Sequence, residues 1–160
     1  MTNFQRNGAA SNTHVGRKFE ACAQKFFAAQ EVPLDHPVSV DIGVDGKRKT
    51  HNFDLGNRDK RIIVECKSHT WTKSENTPSA KITTWDQAMY FFHLAPKDYR
   101  KIFFVLRHYS KKHGCTLAKY YLDKKDHLIP QDVEVWEFDE HTGNAKRIDE
   151  SKQLTGAIMA

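Results

Sequence analysis

The stretch RIIVECKSHTW, Arg61 to Trp71, begins as a buried strand through Val64 and then sets Glu65 and Lys67 on either side of Cys66. Side chains alternate across a strand, so Ile63, Glu65 and Lys67 share one face while Ile62, Val64 and Cys66 share the other. Just upstream, KTHNFDL (49–55) alternates in the same way and is followed by a turn at Gly56-Asn57. A hairpin with an even-length loop would bring Asn52 and Asp54 to the face of Glu65 and Lys67. Phe53 and Leu55 would then join Val64 and Cys66 on a consistently apolar face. Two carboxylates brought together repel each other, and a proton or an oxygen-preferring divalent cation relieves that repulsion. Two acids and one amine on one face point to metal-assisted chemistry, in which an ion such as Mg²⁺ polarises a phosphodiester and the lysine orients water or stabilises charge.

The flanking segments predict the other elements. Residues 13–30 carry Val15, Phe19, Cys22, Ala23, Phe26 and Phe27 at the spacing of one helix face, with Thr13 as a cap. Pro33 and Pro37 end that pattern, and VSVDIGV from Val38 reads as a strand up to the Asp45-Gly46 turn. After Pro78, Ile82, Trp85, Met89 and Phe92 mark a second helix that Pro96 closes, and KIFFVLRH (101–108) has the character of an interior strand. A third helix is expected over 114–129, a strand from Val133, a turn in EHTGNAK, and a loosely held tail over about 149–160. The order is helix, three strands, helix, strand, helix, strand: an α/β fold with a mixed sheet flanked by helices.

The 160 residues, 39% hydrophobic and 28% charged, suit one globular core, so a single domain is expected with its core over about 13–138. No apolar run reaches spanning length and no secretory pattern opens the chain, which predicts a soluble cytoplasmic protein with no membrane partner. Cys22, Cys66 and Cys115 are odd in number and form no CxxC pair, which argues against a disulfide framework or a cysteine zinc cluster. The nine histidines include none at closed zinc-site spacing. The net charge of +5 favours a polyanionic partner. The cations concentrate in 46–61 and 97–112, two zones expected to flank one groove.

Asp54, ten intervening residues, then Glu65-Cys66-Lys67 after an apolar run resembles the active-site signature of the PD-(D/E)xK nucleases. The likeness extends over residues 13–108, where the element order is similar to the restriction-endonuclease-like core. GRKFE in the first helix is similar to the glycine and glutamate of resolvase-like and Mrr-like members, which makes Glu20 the matching position. Gln87 in TTWDQAMYFF matches a glutamine that some branches carry on the second core helix. The chain departs from the family in having Phe53 where proline often stands, and Tyr90 follows Gln87 too closely for the RecB-like spacing. Glu-x-Lys alone carries little weight: Glu150-Ser151-Lys152 repeats it in the polar tail without a strand.

The resemblance implies a Mg²⁺- or Mn²⁺-dependent endonuclease that hydrolyses phosphodiester bonds of double-stranded or branched DNA. Asp54, Glu65, Glu20 and the Cys66 carbonyl would be metal ligands, Lys67 the catalytic amine, and Gln87 a further site residue. A homodimer would serve to cut both strands. Lys47, Arg48, Lys49, Arg58, Arg61, His69, Lys73 and Arg107 are candidate phosphate contacts, and Trp71 a candidate for stacking on a base. Two alternatives stand beside it: a non-catalytic nucleic-acid-binding module on the same fold, and an RNA-directed nuclease.

Overall fold

A strand that is apolar on both faces needs cover on both, and β4 (Ile62–Lys67) has it. In the computed structural model, which describes residues 9–150, Ile62 and Val64 pack into one core layer and Ile63 into the other. The first layer lies under α1 (Ala9–Ala29), where Val15, Phe19, Ala23 and Phe27 form an apolar stripe. Phe19 is the pivot of that stripe, its ring centroid 5.4 Å from Phe104 and 5.9 Å from Phe138. Its truncation to alanine is expected to cost about 3–5 kcal/mol. The second layer is covered by α2 (Ser79–Leu94), through Ile82, Trp85, Met89 and Phe92, and by α3 (Leu117–Lys125), through Leu117, Ala118 and Tyr121.

Between these layers runs a mixed five-stranded sheet in the order β3-β4-β5-β8-β9. Its members, besides β4, are β3 (Leu55–Asn57), β5 (Arg100–Leu106), β8 (Val133–Asp139) and β9 (Asn144–Arg147). β4, β5 and β8 are mutually parallel, while β3 and β9 are antiparallel edges. The parallel strands are the apolar ones, as expected where both faces are covered. Two small antiparallel pairs stand apart: the hairpin β1 (Val38–Ile42) with β2 (Lys49–Phe53), and β6 (Tyr109–Ser110) with β7 (Cys115–Thr116).

The expected order is therefore corrected. Four strands, not three, separate the first two helices, and β6, β7 and β9 were not expected. The strand expected over 49–55 is broken at Asp54. Phe53 consequently faces the α2 layer and Leu55 the α1 layer, instead of sharing a face. The loose tail begins later than expected, since Asp149 is buried and accepts hydrogen bonds from Val135 N at 3.0 Å and Arg147 Nε at 2.9 Å. The rest of that tail, 151–160, lies outside the described residues. Among the described residues no helix is long and apolar enough to cross a membrane.

Candidate active site

The break at Asp54 builds the site. β3 pairs with β4 only as far as Leu55 opposite Val64, so among the described residues the edge of β4 away from β5 is paired with no strand beyond Val64. The Asp54 side chain takes the strand's place: its Oδ2 accepts a hydrogen bond from the Cys66 backbone N–H at 2.8 Å. The N–H and C=O of one strand residue point to the same edge, so the Cys66 carbonyl also faces the Asp54 side, away from β5. Asp54 is half-buried, Glu65 is buried and Lys67 is half-buried at the carboxyl end of β4.

Glu20 reaches the same place from α1. It is adjacent to the buried Phe19 and half-buried itself. Burial first, then repulsion by Asp54 and Glu65, pushes its carboxyl up to about 7, against the pull of Arg17. Glu65 is pushed up to about 7, by burial first; a hydrogen bond to His51 opposes the rise, Asp54 adds to it, and Lys67 opposes it. The Cys66 thiol is raised by its burial and then by Asp54, Glu20 and Glu65. Asp54 and Glu65 thus act electrostatically on Glu20, and Asp54 and Lys67 on Glu65; the Lys67 ammonium has no ion pair or hydrogen bond among the described residues.

Each of the two protonatable glutamates faces a histidine that the sequence did not mark. His51 Nε2 and Glu65 Oε1 are hydrogen-bonded at 3.2 Å, and His36 Nδ1 stands 3.4 Å from Glu20 Oε2. The His51 ring is fixed between Phe53 and Phe91, with centroids 4.6 and 4.2 Å away. Among the described residues no three His, Cys, Asp or Glu side chains stand together as a metal-holding group. The donor chemistry nevertheless fits a hard cation: the carboxylates of Asp54, Glu65 and Glu20 and the Cys66 carbonyl are all oxygen donors, and their mutual repulsion is what a divalent ion relieves.

The other candidates scatter. Gln87 is exposed on α2, one turn before Phe91, with no hydrogen bond to the carboxylates among the described residues. Lys47, Arg48 and Lys49 are exposed on the β1–β2 hairpin, with Arg48 Nη1 donating to Gly43 O at 2.9 Å. Arg58 and Arg61 sit at the amino end of β4, where Arg58 donates to Ser39 O and Arg61 pairs with Asp98. At ~3.3 Å per residue, Arg61 is roughly 13 Å along the strand from Glu65, so the 46–61 zone straddles both ends of the sheet instead of flanking one groove. Lys73 and Arg107 are exposed.

His69 and Trp71 lie inward. His69 Nδ1 accepts a hydrogen bond from Trp85 Nε1 at 2.8 Å, and both side chains are buried. Trp71 is 3% exposed and stacked on His113 with ring centroids 4.2 Å apart, so its face is already covered and not offered to a base. The partner is distant in sequence, and no local pattern marks it. No family model matches the chain, and no curated protein or solved structure matches it.

Proposed function

We propose that the chain is a metal-dependent DNA endonuclease built on a restriction-endonuclease-like core, acting as a homodimer when both strands are cut. The observation that carries this reading is the Asp54 hydrogen bond to the Cys66 N–H, which sets that carboxylate beside the strand end bearing Glu65 and Lys67, with Asp54 and Glu65 both raising the Glu20 carboxyl. Support for the core comes from the site's position at the carboxyl end of β4, with α1 over one face of the sheet and α2 over the other.

Asp54, Glu65, Glu20 and the Cys66 carbonyl would hold Mg²⁺ or Mn²⁺. When bound, the ion polarises the phosphodiester and lowers the pKa of a water molecule. Lys67 orients the attacking water and stabilises the negative charge that grows on the phosphoryl oxygens. His51, wedged between two phenylalanines, fixes the Glu65 carboxylate in place. The fixed backbone of β4 sets the distance between Glu65 and Lys67.

The reading is tested with labelled duplex DNA and RNA, each incubated with Mg²⁺, Mn²⁺ or EDTA, using wild type and Glu65→Ala. Metal-dependent hydrolysis of DNA that disappears in the variant is expected. Duplex binding with no hydrolysis under either metal would replace this reading with a non-catalytic binding module, and preferential hydrolysis of RNA would replace the substrate.

A further inference from the structure

Lys67 of β4 is in register with Val105 of β5, Val105 with Glu137 of β8, and Glu137 with Lys146 of β9. Paired residues share a face, so these four side chains form one row across four strands, on the side covered by α2 and α3. With strands ~4.8 Å apart, the row runs about 14 Å from Lys67 to Lys146. Arg107 follows at the end of β5 on the Val105 side, and the start of α3 brings Thr116 and Lys119 to the same place. Together, Arg107, Thr116, Lys119, Glu137 and Lys146 line a cleft of about 300 Å³ in which three cations face one carboxylate.

That carboxylate is already engaged. The Glu137 side chain is 4% exposed; its Oε2 accepts from Thr116 Oγ1 at 2.6 Å, and Arg107 Nε lies 3.7 Å from its Oε1. Glu137 therefore anchors Arg107, whose side chain is 42% exposed, at the mouth of the cleft. Lys146 has no hydrogen bond or ion pair among the described residues, and Lys119 is tied only to the exposed Asp123 on its own helix. A surplus of positive charge, with one member held by a buried acceptor, suits a phosphate oxyanion.

We propose that this cleft binds a backbone phosphate of DNA a few nucleotides along from the one at Lys67. Arg107, Lys119 and Lys146 are the contacts and Glu137 is the positioning residue for Arg107. The inference takes its partner from the nuclease reading, but it does not depend on cleavage. It assigns the direction of the strand's path: from Lys67 across the carboxyl ends of β5 and β8 toward β9, not toward Arg58 and Arg61.

The test is fluorescence anisotropy of a short labelled DNA duplex in EDTA over a salt series, where removing one cation that touches a phosphate lowers the slope of log K against log salt by about 1. Lys146→Ala and Arg107→Ala are each expected to lower the slope by about that amount, and the double variant by about 2. Lys124→Ala, on α3 outside the cleft, should leave it unchanged. Lys146 has no partner to lose, so its variant reads binding without disturbing the fold. A wild-type slope in the double variant, or no duplex binding by the wild-type protein, overturns the assignment. The expected drop in a protein that cuts nothing with any metal would support the cleft and reject the nuclease reading.

Discussion

Asp54 Oδ2 accepts the Cys66 backbone N–H at 2.8 Å, at the point where β3 stops pairing with β4. One side chain thereby closes a strand edge and holds a carboxylate beside Glu65. The two roles separate by substitution. Asp54→Asn keeps an acceptor for the N–H but loses the charge; Asp54→Ala loses both. Both are expected to lower metal-dependent cleavage by at least about 100-fold, beyond the usual effect of disturbing a ligand's outer partner. Denaturant unfolding should place Asp54→Ala about 1–2 kcal/mol below Asp54→Asn, because only alanine leaves the N–H without its partner. Equal stability of the two would contradict the edge-closing role.

Glu20 and Glu65 are both raised to about 7 from an ordinary value of 4.5, so between these limits the folded chain binds more protons than the unfolded one. Their contribution to stability is complete below the unfolded value and is lost as pH rises through about 7. In EDTA, the Tm of the wild type should therefore fall between pH 5 and pH 8 relative to Glu20→Gln/Glu65→Gln. Adding Mn²⁺ at pH 8 should recover the loss for the wild type only. Parallel Tm profiles for the two proteins would contradict the shared carboxylate cluster.

The contact of His51 with Glu65 opposes the rise that burial imposes on that carboxyl. Without it Glu65 keeps its proton to higher pH and loses its fixed orientation. His51→Ala is expected to weaken Mn²⁺ binding about 10-fold near neutral pH, read by calorimetry on the protein without DNA. Unchanged affinity would remove His51 from the site's support.

Gly56 lies in β3, where a turn was expected at Gly56-Asn57; the turn comes later, over 58–61. The Gly56 backbone exchanges hydrogen bonds with Asp35, and a Cβ there would meet Ile62 O at 2.3 Å and Val38 Cγ2 at 2.9 Å. Gly56→Ala should therefore destabilise the fold by about 1–3 kcal/mol in denaturant unfolding. A neutral effect would mean that β3 shifts freely against β1.

The helices were legible in the sequence because each carries an uninterrupted apolar stripe, as in Val15, Phe19, Ala23 and Phe27. β4 and β5 were legible because both are apolar on each face. Alternation in 49–55 concealed the break at Asp54, since period-two patterning cannot show that a strand switches core layers between Phe53 and Leu55. β6 and β7 are two residues each and β9 is polar, too little pattern to mark a strand. Glu65 and Lys67 could be grouped from sequence because parity within one strand is local, whereas Asp54 reaches them through the strand break and its bond to the Cys66 N–H and not through parity. His36 and His51 could not, because the contacts that bring them to Glu20 and Glu65 cross between elements. Trp71 looked exposed amid polar neighbours and is buried by His113 and Tyr120, long-range partners that no local rule reveals.

The most direct measurement is agarose electrophoresis of circular plasmid DNA after incubation with the purified protein, with Mg²⁺, Mn²⁺ or EDTA, beside Lys67→Ala of unchanged circular dichroism. Nicked or linear plasmid that requires the metal and is absent with Lys67→Ala is the expected result. Cleavage retained by Lys67→Ala, or persisting in EDTA, would contradict the assignment of Lys67 and the carboxylates as the catalytic centre.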